Sequence, residues 1–224
     1  MFKYRSQEKE LLDGQVDHKN LVLNLKELRS INTLLGGYNI SIDALNKINT
    51  QNKTIVDIGS GGGDTLEEIR KWSQKKDQNV LLFGVDLKLD CVEYAKSHLP
   101  KELIFIHDDY RNIHKHLDNV DILHACLFTH HLTDQQIVDL IRYAKKIGSI
   151  LIVNDLERNP LAHYSIKWLT RLFSKSQLVK NDAPLSVLRG FKKKEWFELL
   201  RQAGAKDFSV KWKWAFRHQI IVHG

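Results

Sequence analysis

The sequence predicts an α/β fold: a doubly wound, mostly parallel sheet that ends in an antiparallel pair of strands. Three observations carry this expectation. From about residue 53 onward, five apolar runs of strand length alternate with amphipathic helical patterns. The first of these runs opens into a glycine-rich turn that leads straight into a helix. The last two runs of the chain follow one another after a very short connection, which suits an antiparallel pair and is too short for a parallel crossover.

The elements follow in chain order. Residues 1–50 precede the first strand, and their segment LVLNLKELRSINTLL carries an apolar helical face. They have no place in a parallel core and are expected to form an N-terminal helical cap on a sheet domain spanning 51–224. The strands are TIVDIG, NVLLFGVDL, ELIFIH, VDILHACLF and SILIVND. They are apolar on both faces, as strands covered by helices on both sides are. Between them the pattern predicts helices at Asp64–Lys76, Lys88–His98 and Thr133–Lys146. Glu157–Arg189 is long for a strand-to-helix connection and is read as a second cap inserted at about 157–190. A helix over Lys192–Ala203 stops at Gly204, a C-capping residue. The strand-like runs KDFSVKWKWAF and RHQIIVHG then close the chain.

Composition narrows the function classes. The 224 residues are 42% hydrophobic and 27% charged, an ordinary globular balance. No apolar run approaches the roughly 18 residues of a membrane span. The opening MFKYRSQEKELLDG is charged where a secretion signal needs an apolar stretch, so a cytoplasmic protein is expected. Cys91 and Cys126 form no CxxC pair, which suggests neither a disulfide framework nor a thiolate metal site. The net charge of +7 is concentrated late: residues 158–224 carry 14 basic and 4 acidic side chains. A basic C-terminal third favours anionic partners, among them transient contact with a membrane surface or an acidic carrier.

The glycine turn points to a nucleotide-like cofactor. Gly59, Gly61 and Gly63, with Ser60 between them, follow strand one and open a helix whose N–H groups are unsatisfied. Asp57 sits two residues before the first glycine, and Asp64 is placed to cap the helix. Strand two ends at Asp86, followed by Leu87, and a carboxylate there accepts both hydroxyls of a ribose. Strand three ends near Asp109 and Tyr110, at the sheet edge where such ligands bind. A dinucleotide site favours GxGxxG; this turn reads GxGxG behind a carboxylate, which suits an amine better than a pyrophosphate.

With these residues in view, IVDIGSGGG, GVDL, HDDY and DILHACLFTHHLTD resemble the successive motifs of class I S-adenosylmethionine-dependent methyltransferases. The resemblance runs from about Lys53 to the end. It implies a Rossmann-like, seven-stranded sheet with a reversed last hairpin, and S-adenosylmethionine as the cofactor. It also implies that Gly59, Gly61 and the Asp57 region hold the methionine part, Asp86 the ribose, and Asp109 and Tyr110 the adenine. Ala125–Thr129, with Ala125 and Leu127, would lie beside the reactive methyl. LFTHHL resembles the corresponding stretch of quinone and natural-product methyltransferases. VNDLERNPLAHYSIKWLTRLFSKSQLVKNDAPLSVLRGF resembles a subgroup associated with type III polyketide synthases. These resemblances imply a small phenolic, quinol or polyketide-type acceptor and a setting in secondary metabolism, with carbon methylation of a similar ring as the alternative.

Histidine is the residue type suited to take a phenol's proton near neutral pH, so His131, and next to it His130, are the candidate bases. Tyr4, Leu35, His163, Tyr164 and Trp168, from the two caps, are the expected acceptor contacts. Neither His107 with Asp108 and Asp109 nor His114 with His116 has the spacing of a zinc motif, so no metal is expected. RNA or protein methylation would draw on the basic C-terminal third. No NPPY-like tetrapeptide follows strand four, where the chain reads ACLFTHH, and no nucleic-acid partner is expected.

Overall fold

The computed structural model describes residues 2–224. Its centre is a seven-stranded sheet: β1 (Lys53–Ile58), β2 (Val80–Asp86), β3 (Leu103–His107), β4 (Ile122–Cys126), β5 (Ile150–Leu156), β6 (Phe208–Lys213) and β7 (Arg217–Val222). The spatial order is β3-β2-β1-β4-β5-β7-β6. The first five strands are parallel, while β7 runs antiparallel to both β5 and β6. The predicted closing hairpin is therefore present, with its second strand inserted between the first and the rest of the sheet.

Among the described residues eight α-helices surround the sheet: α1 (His18–Leu34), α2 (Gly37–Leu45), α3 (Asp64–Lys75), α4 (Leu89–His98), α5 (Asp134–Lys146), α6 (Pro160–Phe173), α7 (Gln177–Arg189) and α8 (Lys193–Gln202). Their boundaries have local causes. Thr133 and Gln136 cap α5 reciprocally, satisfying two donors that the helix leaves over. Asn159 caps α6, and Pro160 occupies its first turn, where the missing N–H costs nothing. Side chains alternate across β1: Val56 and Ile58 face α5 and α8, where Ile141, Trp196 and Leu200 are buried. Ile55 faces the opposite layer, with Leu66, Ile69 and Val92 of α3 and α4.

The N-terminal segment divides between two roles. Ala44 and Leu45 of α2 belong to the core layer beneath the sheet. Helix α1 instead packs against α4 and α7. Helices α6 and α7 fill the predicted insertion and pack on each other. Asp64 is the first residue of α3 rather than its cap; Gly63 occupies the capping position, and the Asp64 carboxylate accepts the Tyr38 hydroxyl. No helix among the described residues is long and apolar enough to cross a membrane.

Gly63 has a packing duty. It sits at φ +78°, and a Cβ there would lie 2.5 Å from the Phe105 ring and 2.6 Å from Leu99. Gly148, at φ +70°, has no atom within 4 Å of the same position. Gly148→Ala should therefore cost only the left-handed backbone term, about 1–2 kcal/mol. Gly63→Ala should lose a further ~1–3 kcal/mol through overpacking. Urea unfolding of both variants checks this, and equal losses would contradict the packing role.

Candidate functional site

A cavity of about 990 Å³ opens over the carboxyl ends of β1, β2, β4 and β5 and is roofed by α1, α6 and α7. The glycine turn forms one end. Gly59 (φ +66°) lies so close to the Phe128 ring that a Cβ would come within 2.1 Å of it. Gly61 (φ +52°) has nothing within 4 Å of that position and faces open space. Its N–H donates to Asp86 over 2.8 Å, and the other Asp86 oxygen accepts the Lys88 N–H at 2.8 Å. Burial raises the Asp86 pKa, partly offset by these two N–H groups. Two polar atoms on this wall, Ser60 Oγ and Asn24 Nδ2, are buried and have no partner among the described residues. Bare backbone, a desolvated carboxylate and unused hydrogen-bonding atoms fit a polar nucleoside ligand such as the expected cofactor.

Asp57 also lines the cavity and lies against a residue that the sequence reading missed. His124 Nδ1 lies 2.7 Å from Asp57 Oδ1, and His124 Nε2 lies 2.8 Å from Ser41 Oγ. Farther along, the Tyr110 ring meets Phe128 edge to face at 5.5 Å, forming an apolar slot. Asp109 turns its carboxylate to Arg111, which holds it below the ordinary aspartate range. Leu87 and Leu127 also line the cavity, Leu127 at φ +52° with its N–H bonded to Asn154.

His130 and His131 occupy a single 3₁₀ turn, Thr129–His131. His130 is buried, with Nδ1 2.7 Å from Asp155 and Nε2 3.5 Å from Glu10. Burial opposes its charge, but Asp155 and Glu10 outweigh that and push its pKa up to about 9. Held in its charged form between two carboxylates, His130 is poorly placed to accept a proton at neutral pH, contrary to the expectation that it serves as a base. His131 lines the cavity and is partly open to it, with Nδ1 3.5 Å from Asp13 and Nε2 3.8 Å from Glu10. Arg189 and Arg5 donate to the backbone carbonyls of this turn and fix its shape. Glu10, His130 and His131 each offer one ligand atom within 4.8 Å of the others, a set able to take a divalent ion.

Several expected contacts lie elsewhere. Gly63 packs on Phe105 and does not reach the cavity. Ala125 is buried inside the β4 core. Tyr4 is 72% exposed, away from the cavity walls. His163 is buried, with Nδ1 at 3.0 Å from the Pro184 carbonyl. Tyr164 and Trp168 are 48% and 63% exposed on the outer side of α6. The cavity side of that helix is Ala162, Ser165, Ile166 and Leu169. Its sequence carries apolar residues on two sides, and spacing alone does not say which one turns inward. Leu35 does line the cavity. Of the residues missed, Asp155 carried a signal, because it follows an apolar strand at the ligand-binding edge, as Asp86 does. Glu10, Asn24 and Arg189 carried none.

Residues 55–147 match the family described as a methyltransferase domain. Among curated proteins, none matches the chain in sequence. Solved structures share the fold. The plantazolicin methyltransferase in complex with SAH is 17% identical, with a TM-score of 0.64 over 90% of this chain and 87% of that one. Human N-acetylserotonin methyltransferase in complex with SAM is 19% identical at a TM-score of 0.64; the match covers 92% of this chain and 56% of that one. A SAM-dependent methyltransferase from Aquifex aeolicus is 14% identical at a TM-score of 0.61, covering 93% of this chain and 98% of that one. At these identities the likeness is one of fold.

The buried imidazolium gives the protein a pH signature. His130 titrates near 9 when folded and near its ordinary 6.5 when unfolded. Its contribution to stability is thus complete below about pH 6.5 and disappears as pH rises through about 9. Urea midpoints should fall across that window in the wild type and fall less in His130→Gln. Parallel pH profiles for the two proteins would contradict the buried ion pair.

Proposed function

We propose that this chain, an S-adenosylmethionine-dependent methyltransferase whose residues 55–147 carry the methyltransferase domain, methylates an oxygen of a small phenolic, quinol or polyketide-type acceptor. The observation that supports the reading is the cavity itself. It joins the Gly61–Asp86 end to an apolar roof built from Leu28, Ile31, Leu35, Ile166 and Leu169, so that one enclosure has room for a cofactor and a flat apolar molecule side by side.

When bound, the cofactor supplies a methyl group on a sulfonium, already an electrophile. The chain's own work is to hold and align. Asp86 keeps lone pairs for ribose hydroxyls beyond the two N–H groups it already accepts. Tyr110, Phe128 and Leu87 offer apolar surface to the adenine. Ser60 and Asn24 offer polar atoms to the methionine end. Fixing the acceptor oxygen in line with the methyl group contributes much of the acceleration in such a reaction. His131, partly open to the cavity and near two carboxylates, takes the hydroxyl proton as the oxygen–methyl bond forms. Asp13 and Glu10 stabilise the charged ring that results.

Labelled S-adenosylmethionine offered with a panel of phenols and quinols tests the reaction, and product analysis separates oxygen from carbon methylation. Calorimetry should show binding of S-adenosylmethionine and S-adenosylhomocysteine and weak binding of NAD. Asp86→Ala should weaken S-adenosylhomocysteine by about 2 kcal/mol or more, through loss of charged hydrogen bonds. His131→Ala should lower turnover at least tenfold while leaving cofactor affinity within about twofold. Full turnover in that variant would remove the base from this position.

A further inference from the structure

The cavity contains a cation that nothing in the proposed chemistry uses. Arg217 is the first residue of β7 and lines the cavity, yet it is only 3% exposed. Its Nη2 donates to Asn32 Oδ1 at 2.6 Å, and its Nη1 reaches Asn154 Oδ1 at 3.4 Å. Both partners are neutral. The Asn154 amide has no alternative orientation: its NH₂ group donates to the Gly37 carbonyl and to Ser41 Oγ, which turns its oxygen toward the guanidinium. Among the described residues no carboxylate oxygen lies within 4.0 Å of Arg217. The other two deeply buried arginines differ in this respect. Arg158 pairs with Glu195 at 2.5 Å, and Arg189 has Asp13 at 3.7 Å.

A buried cation held only by amide oxygens is costly unless an anion reaches it. Around Arg217 the wall is otherwise apolar, with Leu156, Trp214 and Phe216 beside it. In the sheet, β7 lies three strand positions from β1, about 14 Å at the usual spacing of ~4.8 Å per strand. The corner Trp214–Arg217 thus enters the cavity on the side opposite Asp86, which ends β2.

We propose that Arg217 is the anion anchor of the acceptor subsite, so that the acceptor is an aromatic acid whose carboxylate meets the guanidinium while its hydroxyl faces the cofactor. Arginine suits this role because its planar fork matches the two oxygens of a carboxylate. Asn32 and Asn154 act as positioning residues that hold the fork in place. The inference rests on the acceptor reading above and narrows it to an acidic substrate class.

The test compares 4-hydroxybenzoate with 4-hydroxybenzamide, molecules of the same shape that differ in charge. Calorimetric titration of each into the protein saturated with S-adenosylhomocysteine should give at least tenfold tighter binding of the acid. Arg217→Met should bring the two within about twofold, and Arg217→Lys should retain part of the preference. The S-adenosylhomocysteine affinity should stay unchanged in both variants. Equal binding of acid and amide by the wild type, or detectable binding of neither, overturns the proposal. A tenfold loss of S-adenosylhomocysteine affinity in a folded Arg217 variant also overturns it, because the guanidinium would then serve the cofactor. Should Arg217→Met fail to fold, the wild-type comparison and Arg217→Lys still decide. Titration of both compounds without S-adenosylhomocysteine keeps the question apart from the methyl-transfer reading. That reading fails instead if no cofactor binds.

Discussion

The ion pair between His130 and Asp155 is the interaction on which the site depends. It joins the end of β5 to the turn after β4, and it is buried on both sides. Asp155 also accepts the Thr129 hydroxyl and the His130 N–H, so one carboxylate organises the whole turn. On the other side of the ring, Glu10 brings in the N-terminal arm, and Ser186 of α7 donates to Glu10 at 2.7 Å. Sheet, arm and inserted helices therefore meet at a single imidazolium. Charges paired in this way in low dielectric are costly to separate, and the roof of the cavity is held down by that cost rather than by apolar packing alone.

How much of this was legible in the sequence depends on the range over which each feature is decided. The strands and the glycine turn are local patterns, and all seven strands stand where the apolar runs lie. Asp86 was legible because strand end, turn and carboxylate form one short word. Gly63 was not separable from Gly59 and Gly61, because what a missing Cβ faces is set by Phe105 of β3 and by Phe128 of the turn after β4. His130 was misread for the same reason. Its type suggested a base, whereas its protonation is set by Glu10 and Asp155, which only the fold brings to it.

Helix α6 illustrates a different limit. Leu161, Tyr164, Trp168 and Leu172 are all substantially exposed, while Ala162, Ile166 and Leu169 turn toward the cavity. The two aromatic residues are outside, and Ala162 and Ser165 are among those inside. A reading that ranks helix faces by hydrophobicity selects the wrong one, because the inner face borders a cavity rather than packed core. The small residues at 162 and 165 are consistent with that setting.

The reversed direction of β7 separates the two ends of the cavity along the gene as well as in space. In a wholly parallel sheet every residue at the ligand edge comes from the end of a strand. Here the hairpin corner Trp214–Arg217 delivers the beginning of a strand to that edge. The glycine turn, Asp86 and Tyr110 are written between residues 57 and 110, and the corner near residue 215 shares no element with them. Variation at that corner reshapes one end of the cavity while leaving the glycine turn and Asp86 untouched. A chain built this way can change the shape of one end of its cavity through a few residues near its end, with the other end held constant.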